Sequence, residues 1–276
     1  MEDDLNHVGL NKAKLKIVLL GSGNLAFHLG KALSTLPGYP LIQVYARSAA
    51  QALAMGHKFN CKFTDQLEEI EKNAGLYVLC ISDDQISSVA QDLSKWINPK
   101  ALIAHTSGST TAEIFSKWYS NYGVLYPLQT FTKGKKVVFH TIPWLITASN
   151  KKTTELLRQT AELLSPKVTV VDEESRRRLH LAAVLVNNFP NYIYDLVYRF
   201  LEERDLHFEL LIPLLDETLA KIKSMAPALA QTGPAKRRDK RIIDLHLQVL
   251  QKENQTDLFE IYQLFTRLIW KAYPGQ

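Results

Sequence analysis

Between about residue 15 and residue 172, short apolar runs alternate with segments of helical period, the pattern of a mostly parallel sheet joined by crossover helices. The runs KIVLL, LIQVYA, a short one at KFNC, LYVLCI, ALIAHT, GVLYPL, PWLITA and VTVV predict strands. Between them NLAFHLGKALSTL, QISSVAQDLSKW, TTAEIFSKWY and KKTTELLRQTAELL predict helices. Beyond Asp172 the strand signal stops, and Leu179 to Phe200, Phe208 to Met225, Lys240 to Leu250 and Leu258 to Trp270 carry helical period instead. The expected fold is therefore an α/β domain over residues 1–172 followed by an all-α domain over residues 173–276. PGYP, TKGK and APALAQTGPA mark loops, and no internal repeat interrupts the pattern.

Composition narrows the class. The 276 residues are 46% hydrophobic and 22% charged, which is ordinary for a globular chain and predicts disorder only in the polar first dozen residues and the last few. A net charge of +5, with acids and bases interspersed, suits anionic small ligands as readily as nucleic acid. Cys61 and Cys80 are too few and too far apart for a disulfide framework or a zinc motif, so no metal site is expected. The acidic start lacks an apolar signal core, and no apolar run approaches the ~20 residues of a membrane span. A reducing, cytoplasmic setting with no membrane partner is the expectation.

The first strand runs straight into GSGNLA, which opens a helix bearing Leu25, His28, Leu29 and Leu33 at helical spacings. That is the setting a dinucleotide-binding fingerprint requires, and it makes the expected sheet Rossmann-type. Gly21 makes the tight turn, Gly23 lets a pyrophosphate approach the backbone, and Ala26 allows close packing of helix and strand. Amides of Ser22, Gly23, Asn24 and Leu25, at the positive end of the helix dipole, then hold the anion. A purely structural turn is the competing reading.

The end of the second strand bears on which dinucleotide is preferred. An NAD enzyme usually has an acid there for the ribose hydroxyl, whereas this chain has VYARS. The forked guanidinium of Arg47 matches a 2′-phosphate and Ser48 adds a hydroxyl, so NADP is the expected cofactor. Further along, LYVLCISDD places Ile81, Ser82 and Asp83 at the crevice mouth of a doubly wound sheet, beside the nicotinamide ribose. ALIAHTSGST repeats the transition with Thr106, Ser107 and Ser109, and Gly108 permits a sharp turn. His105, closing that strand, is a candidate for the chemistry or a core residue satisfied by backbone.

In the helical half, Ala182, Val186, Phe189, Ile193, Leu196 and Phe200 form an apolar stripe for core or subunit contact. Stepping about 100° per residue gathers Ala183, Val184, Asn187, Asn191 and Asp195 within about 60° of His180, a small polar face, although Pro190 is expected to kink the helix. TGPAKRRDKR holds five basic residues without interleaved aromatics or a reading motif, which argues for a solvated helix start or a substrate-anion clamp over nucleic-acid binding.

GSGNLA, HTSGS, GVLYPLQTF, HLAAVLVNNF and TGPAKRRD with the later His246–Leu247 span nearly the whole chain in order. With these pieces the chain resembles the Rossmann-like oxidoreductases related to pyrroline-5-carboxylate reductase, the 6-phosphogluconate and 3-hydroxyisobutyrate dehydrogenases and the deazaflavin-dependent NADP reductases. More narrowly it is similar to a bacterial family of NADP oxidoreductases that joins such a domain to a helical C-terminal domain of unknown function. The resemblance implies an NADP cleft and a homodimer through the C-terminal helices, and it supplies no substrate. The broader group uses a lysine with an asparagine four residues later on the first long helix of its second domain. Here His180 stands at that place, with Asn187 and Asn188 beyond, and Tyr126 stands where many relatives have histidine.

The expected activity is hydride transfer between NADP and a small carbonyl, imine or hydroxy compound. His180 is assigned as proton donor, since an imidazole titrates near neutrality. Ser107, with His105 nearby, would orient the substrate, Asn188 and Gln129 would hydrogen-bond the reacting atom, and Arg237 would hold a substrate carboxylate. A non-catalytic NADP-binding sensor or scaffold is the alternative, favoured by the missing lysine. A hydrolase reading of HTSGS ranks below both, because the serine is not in a nucleophile-elbow pattern.

Overall fold

The computed structural model describes residues 16–37 and 41–274. The disorder expected of the polar first dozen residues, and residues 38–40 of the PGYP loop, fall outside them, as do residues 275–276. The chain divides into two compact units, residues 1–183 and 184–276.

In the first unit the elements are β1 (Ile17–Leu20), α1 (Asn24–Ser34), β2 (Leu41–Tyr45), α2 (Ala49–Phe59), β3 (Lys62–Thr64), β4 (Leu76–Leu79), α3 (Ile86–Leu93), β5 (Leu102–His105), β6 (Asn121–Pro127), β7 (Trp144–Ala148), α4 (Lys151–Glu162), β8 (Val168–Val170) and α5 (Glu173–Ala183). The strands form one sheet in the order β3-β2-β1-β4-β5-β6-β7-β8, parallel except where β7 meets β6. The Rossmann-type, mostly parallel sheet is thus as predicted. β1 reads as an unbroken apolar run because both of its faces are covered. Ile17 and Leu19 pack with Leu29, Leu33 and Leu157, whereas Val18 and Leu20 pack with Ile86, Ala90 and Leu93.

Two predicted elements differ. The strand read at KFNC is the end of α2, which Asn60 terminates in a left-handed conformation (φ 50°); the strand follows at Lys62. TTAEIFSKWY forms only a 3₁₀ turn at Ala112–Phe115. Its apolar side chains serve the sheet instead: Phe115 and Tyr119 are buried, and the Tyr119 hydroxyl donates to the Ala90 carbonyl at 3.1 Å. Tertiary packing here overrides helical period.

The second unit is all-helical. A π-turn at Val184–Asn188 precedes α6 (Phe189–Glu202), α7 (Ile212–Ser224), α8 (Pro227–Ala230), α9 (Lys240–Lys252) and α10 (Thr256–Ala272). Pro190 has no N–H for the carbonyl four residues earlier, and the irregularity expected of it takes the form of this wider turn. A constant 100° step therefore does not carry across residues 184–188. Arg204 pairs with Glu253 at 2.9 Å, and Arg238 donates to the Trp270 carbonyl at 3.0 Å, tying the unit's ends together. Among the described residues no helix is long and apolar enough to cross a membrane.

Candidate active site

A cleft of about 600 Å³ opens at the carboxyl ends of β1, β2, β4 and β5. Gly21, Ser22, Gly23, Asn24, Leu25, Arg47, Ser48, Ile81, Ser82 and Asp83, the ten residues expected around a dinucleotide, all line it. Gly21 adopts φ +127°, and a Cβ there would stand 2.1 Å from the Cys80 carbonyl oxygen, so only glycine lets β1 turn this close to β4. At Gly23 a Cβ would meet nothing within 4 Å, which leaves the backbone open on the cleft side. The first turn of α1 holds no acid and its start has no side-chain cap, so its amide hydrogens and positive dipole end are available to an anion. These features fit a diphosphate.

Arg47 makes one long contact, to Gln85 Oε1 at 3.4 Å, and forms no ion pair among the described residues. Gln51 was not singled out from the sequence; its carbonyl oxygen accepts from the Ser22 hydroxyl and it lines the same cleft. The only available signal was its place in the first turn of α2.

Where β4 and β5 end, the cleft is bounded by a hydrogen-bonded loop. Asp83 Oδ2 accepts from the hydroxyls of Ser107 at 2.7 Å and Ser109 at 2.6 Å. Burial raises the Asp83 pKa, but hydrogen bonds from Ser109, Ser107 and Thr110 outweigh it and hold the carboxyl below its ordinary value. Ser107 Oγ also accepts from the amides of Ser109 and Thr110, at 3.1 and 2.9 Å, so its hydroxyl is committed to the loop. The same holds for His105, which is fully buried. Its Nδ1 accepts from the Ser107 amide at 3.1 Å and its Nε2 donates to the Thr111 carbonyl at 3.2 Å. Burial pushes the ring down to about 4, so it is neutral at physiological pH.

Beneath this loop lies Arg176 of α5, also fully buried. Its guanidinium donates to the carbonyls of Ser107 and Gly108 at 2.8 Å each and of Thr110 at 2.5 Å, and it pairs with Glu173. Glu173 accepts in turn from the Ala112 amide at 2.8 Å. One helical turn on, His180 presses against the same loop: a Cβ on Gly108 would lie 2.3 Å from His180 Nδ1 and 2.8 Å from Tyr126 Cζ. The Tyr126 hydroxyl and His180 Nδ1 are 3.0 Å apart, with the rings edge to face. Burial raises the Tyr126 pKa.

Of the remaining expected site residues, one belongs to the first unit and two to the second. Gln129 lines a separate depression with Thr130 and Lys135, and its Oε1 accepts from the Thr130 amide at 2.9 Å. Asn188 closes the π-turn and Arg237 sits in a turn before α9; both are exposed residues of the second unit. Sequence reasoning missed Arg176, which hides among three consecutive arginines; its four-residue spacing from His180 was the signal that could have found it.

A model for a Rossmann-like domain matches residues 1–128, and a model for a domain of unknown function, DUF2520, matches residues 142–269. A structure from Bacteroides fragilis described as a "putative NADP oxidoreductase" is 36% identical over 94% of this chain and 99% of that one, with a TM-score of 0.87. A Thermotoga maritima protein shares the fold at 24% identity over 93% and 98% of the two chains, with a TM-score of 0.70. A pyrroline-5-carboxylate reductase from Coxiella burnetii does so at 19% identity over 94% and 98%, with a TM-score of 0.53. No curated protein matches the chain.

Proposed function

Because the chain belongs to the family that joins a Rossmann-like domain to the DUF2520 domain, we propose that it is an NADP-dependent oxidoreductase acting on a small carbonyl, imine or hydroxy compound. The observation that carries a catalytic reading, as against a sensor, is the Tyr126–His180 pair set on Gly108 of the loop bounding the cleft.

The amides from Ser22 to Leu25 hold the diphosphate, and Arg47 with Ser48 takes the 2′-phosphate. When bound, the nicotinamide gives or accepts the hydride. The protein's own task is the proton. As an imidazolium, His180 donates its Nδ1–H to the Tyr126 oxygen and holds a second proton at Nε2, where no described residue hydrogen-bonds it. That proton goes to the developing alkoxide or amine, and the neutral ring keeps its bond to Tyr126. Ser107 and His105 act here as positioning residues, through the loop. Asn188, Gln129 and Arg237 stay candidates for substrate contact.

The test is turnover with a panel of carbonyls and imines. His180→Ala is expected to lower kcat by about 10²- to 10⁴-fold while NADPH affinity holds. A protein that binds NADPH and oxidises it with no member of the panel would instead be a sensor. The second unit exposes Phe189, Leu210, Leu214 and Leu229, which supports a homodimer through these helices, checked by sedimentation. The first unit's two free cysteines, Cys61 and Cys80, fit a cytoplasmic location.

A further inference from the structure

We infer that Lys133 is a ligand for the cofactor diphosphate, delivered to the glycine turn by a purpose-built loop; this rests on the dinucleotide reading of the cleft. The loop between β6 and β7 turns back on itself at Thr132–Lys135, where the Lys135 amide donates to the Thr132 carbonyl at 3.3 Å. Gly134 stands third in that turn at φ +85°, the conformation a type II turn demands of its third residue. Lys133, second in the turn, sends its ammonium to the Ser22 carbonyl at 2.8 Å, within the GSGN turn itself.

The loop is held in place on both sides. His28, a buried residue of α1 with no part in the mechanism above, donates from Nε2 to the Thr132 carbonyl at 2.8 Å. A run of aromatic contacts, His28 to Phe131, Phe131 to Phe139 and Phe139 to Trp144, with centroids 6.1, 6.2 and 6.2 Å apart, carries the loop down to the buried Trp144. Lys133 is therefore presented by a packed support.

Its bond to the Ser22 carbonyl sets it against the helix dipole. An ammonium belongs near a helix C-terminus, as Lys31 is in α1, whereas Lys133 lies at the start of that helix, where the dipole is positive. No acid of the first turn offsets it, and no described acid pairs with it. A dianion at the same turn reconciles the two positive groups, and the ammonium adds a charge-assisted bond to those of the amides.

The experiment titrates NADPH, 2′-phospho-ADP-ribose and 2′-AMP into the parent chain, Lys133→Met and Lys133→Arg. Loss of the ammonium should weaken the two diphosphate ligands by about tenfold or more and leave 2′-AMP within about twofold, with Lys133→Arg recovering most of the loss. Gly134→Ala, which disturbs the turn and leaves the lysine, should reproduce the pattern in weaker form. NADPH affinity in Lys133→Met within about twofold of the parent overturns the inference, and so does an equal loss for 2′-AMP, which would mark a general collapse of the cleft. A parent chain that binds none of the three ligands overturns the dinucleotide reading and this inference together; a parent that binds NADPH with Lys133→Met binding it equally well overturns this one alone.

Discussion

The Tyr126 hydroxyl lies 3.0 Å from His180 Nδ1, and both side chains are packed on Gly108. The tyrosine therefore fixes which imidazole nitrogen is free. Tyr126→Phe keeps the ring and its packing but removes the partner of Nδ1. The expected result is a fall in kcat of up to about tenfold with KM for NADPH little changed, together with a displaced pH profile for kcat. Steady-state kinetics across pH would check it.

Arg176 is fully buried under the 107–110 loop and satisfies three carbonyls and Glu173 at once. Arg176→Met strands those acceptors. Stability should drop by about 3 kcal/mol or more, seen as a lower urea midpoint with an unchanged slope. Arg176→Lys should recover only part, because a point ammonium does not reproduce the fork.

Arg47 has one long contact to Gln85 and otherwise faces the cleft. Arg47→Ala is expected to narrow the preference for NADPH over NADH by about tenfold or more, the usual worth of a hydrogen bond to a charged group. Side-by-side titrations decide it; equal weakening for both nucleotides would make the residue structural.

His105 gives the fold a pH dependence. Burial pushes its folded pKa to about 4, against the bond to the Thr111 carbonyl, which raises it. The unfolded chain, with an ordinary value near 6.5, therefore takes up the proton first as pH falls. The stabilisation from this residue is complete above about pH 6.5 and is lost progressively towards pH 4, amounting to about 3 kcal/mol in all. Urea midpoints from pH 7.5 down to 4.5 should fall more steeply for the parent than for His105→Gln.

The doubly wound sheet was legible because buried parallel strands leave unbroken apolar runs, as in Ile17–Leu20, and because Gly21 sits at the junction that follows. The ten cleft residues followed from that junction and from the ends of neighbouring strands. What stayed hidden depends on contacts between segments far apart in the chain. Nothing near Tyr126 announces a bond to a residue 54 positions later, and nothing in DEESRRR says which arginine turns inward. The residue types of Ser107 and His105 suggest substrate orientation for the first and leave the second open between chemistry and core; only the contacts show that the loop takes up the polar atoms of both. The 3₁₀ turn at Ala112–Phe115 escaped for a related reason, since its aromatic residues answer to the sheet and not to their own periodicity.

Arg176 and His180 stand four residues apart on α5, so one rigid rod both anchors the loop and carries the imidazole. The spacing between the imidazole and the loop's support is thereby set inside a single turn of helix, and it depends on no contact between separate elements beyond those that Arg176 and His180 themselves make.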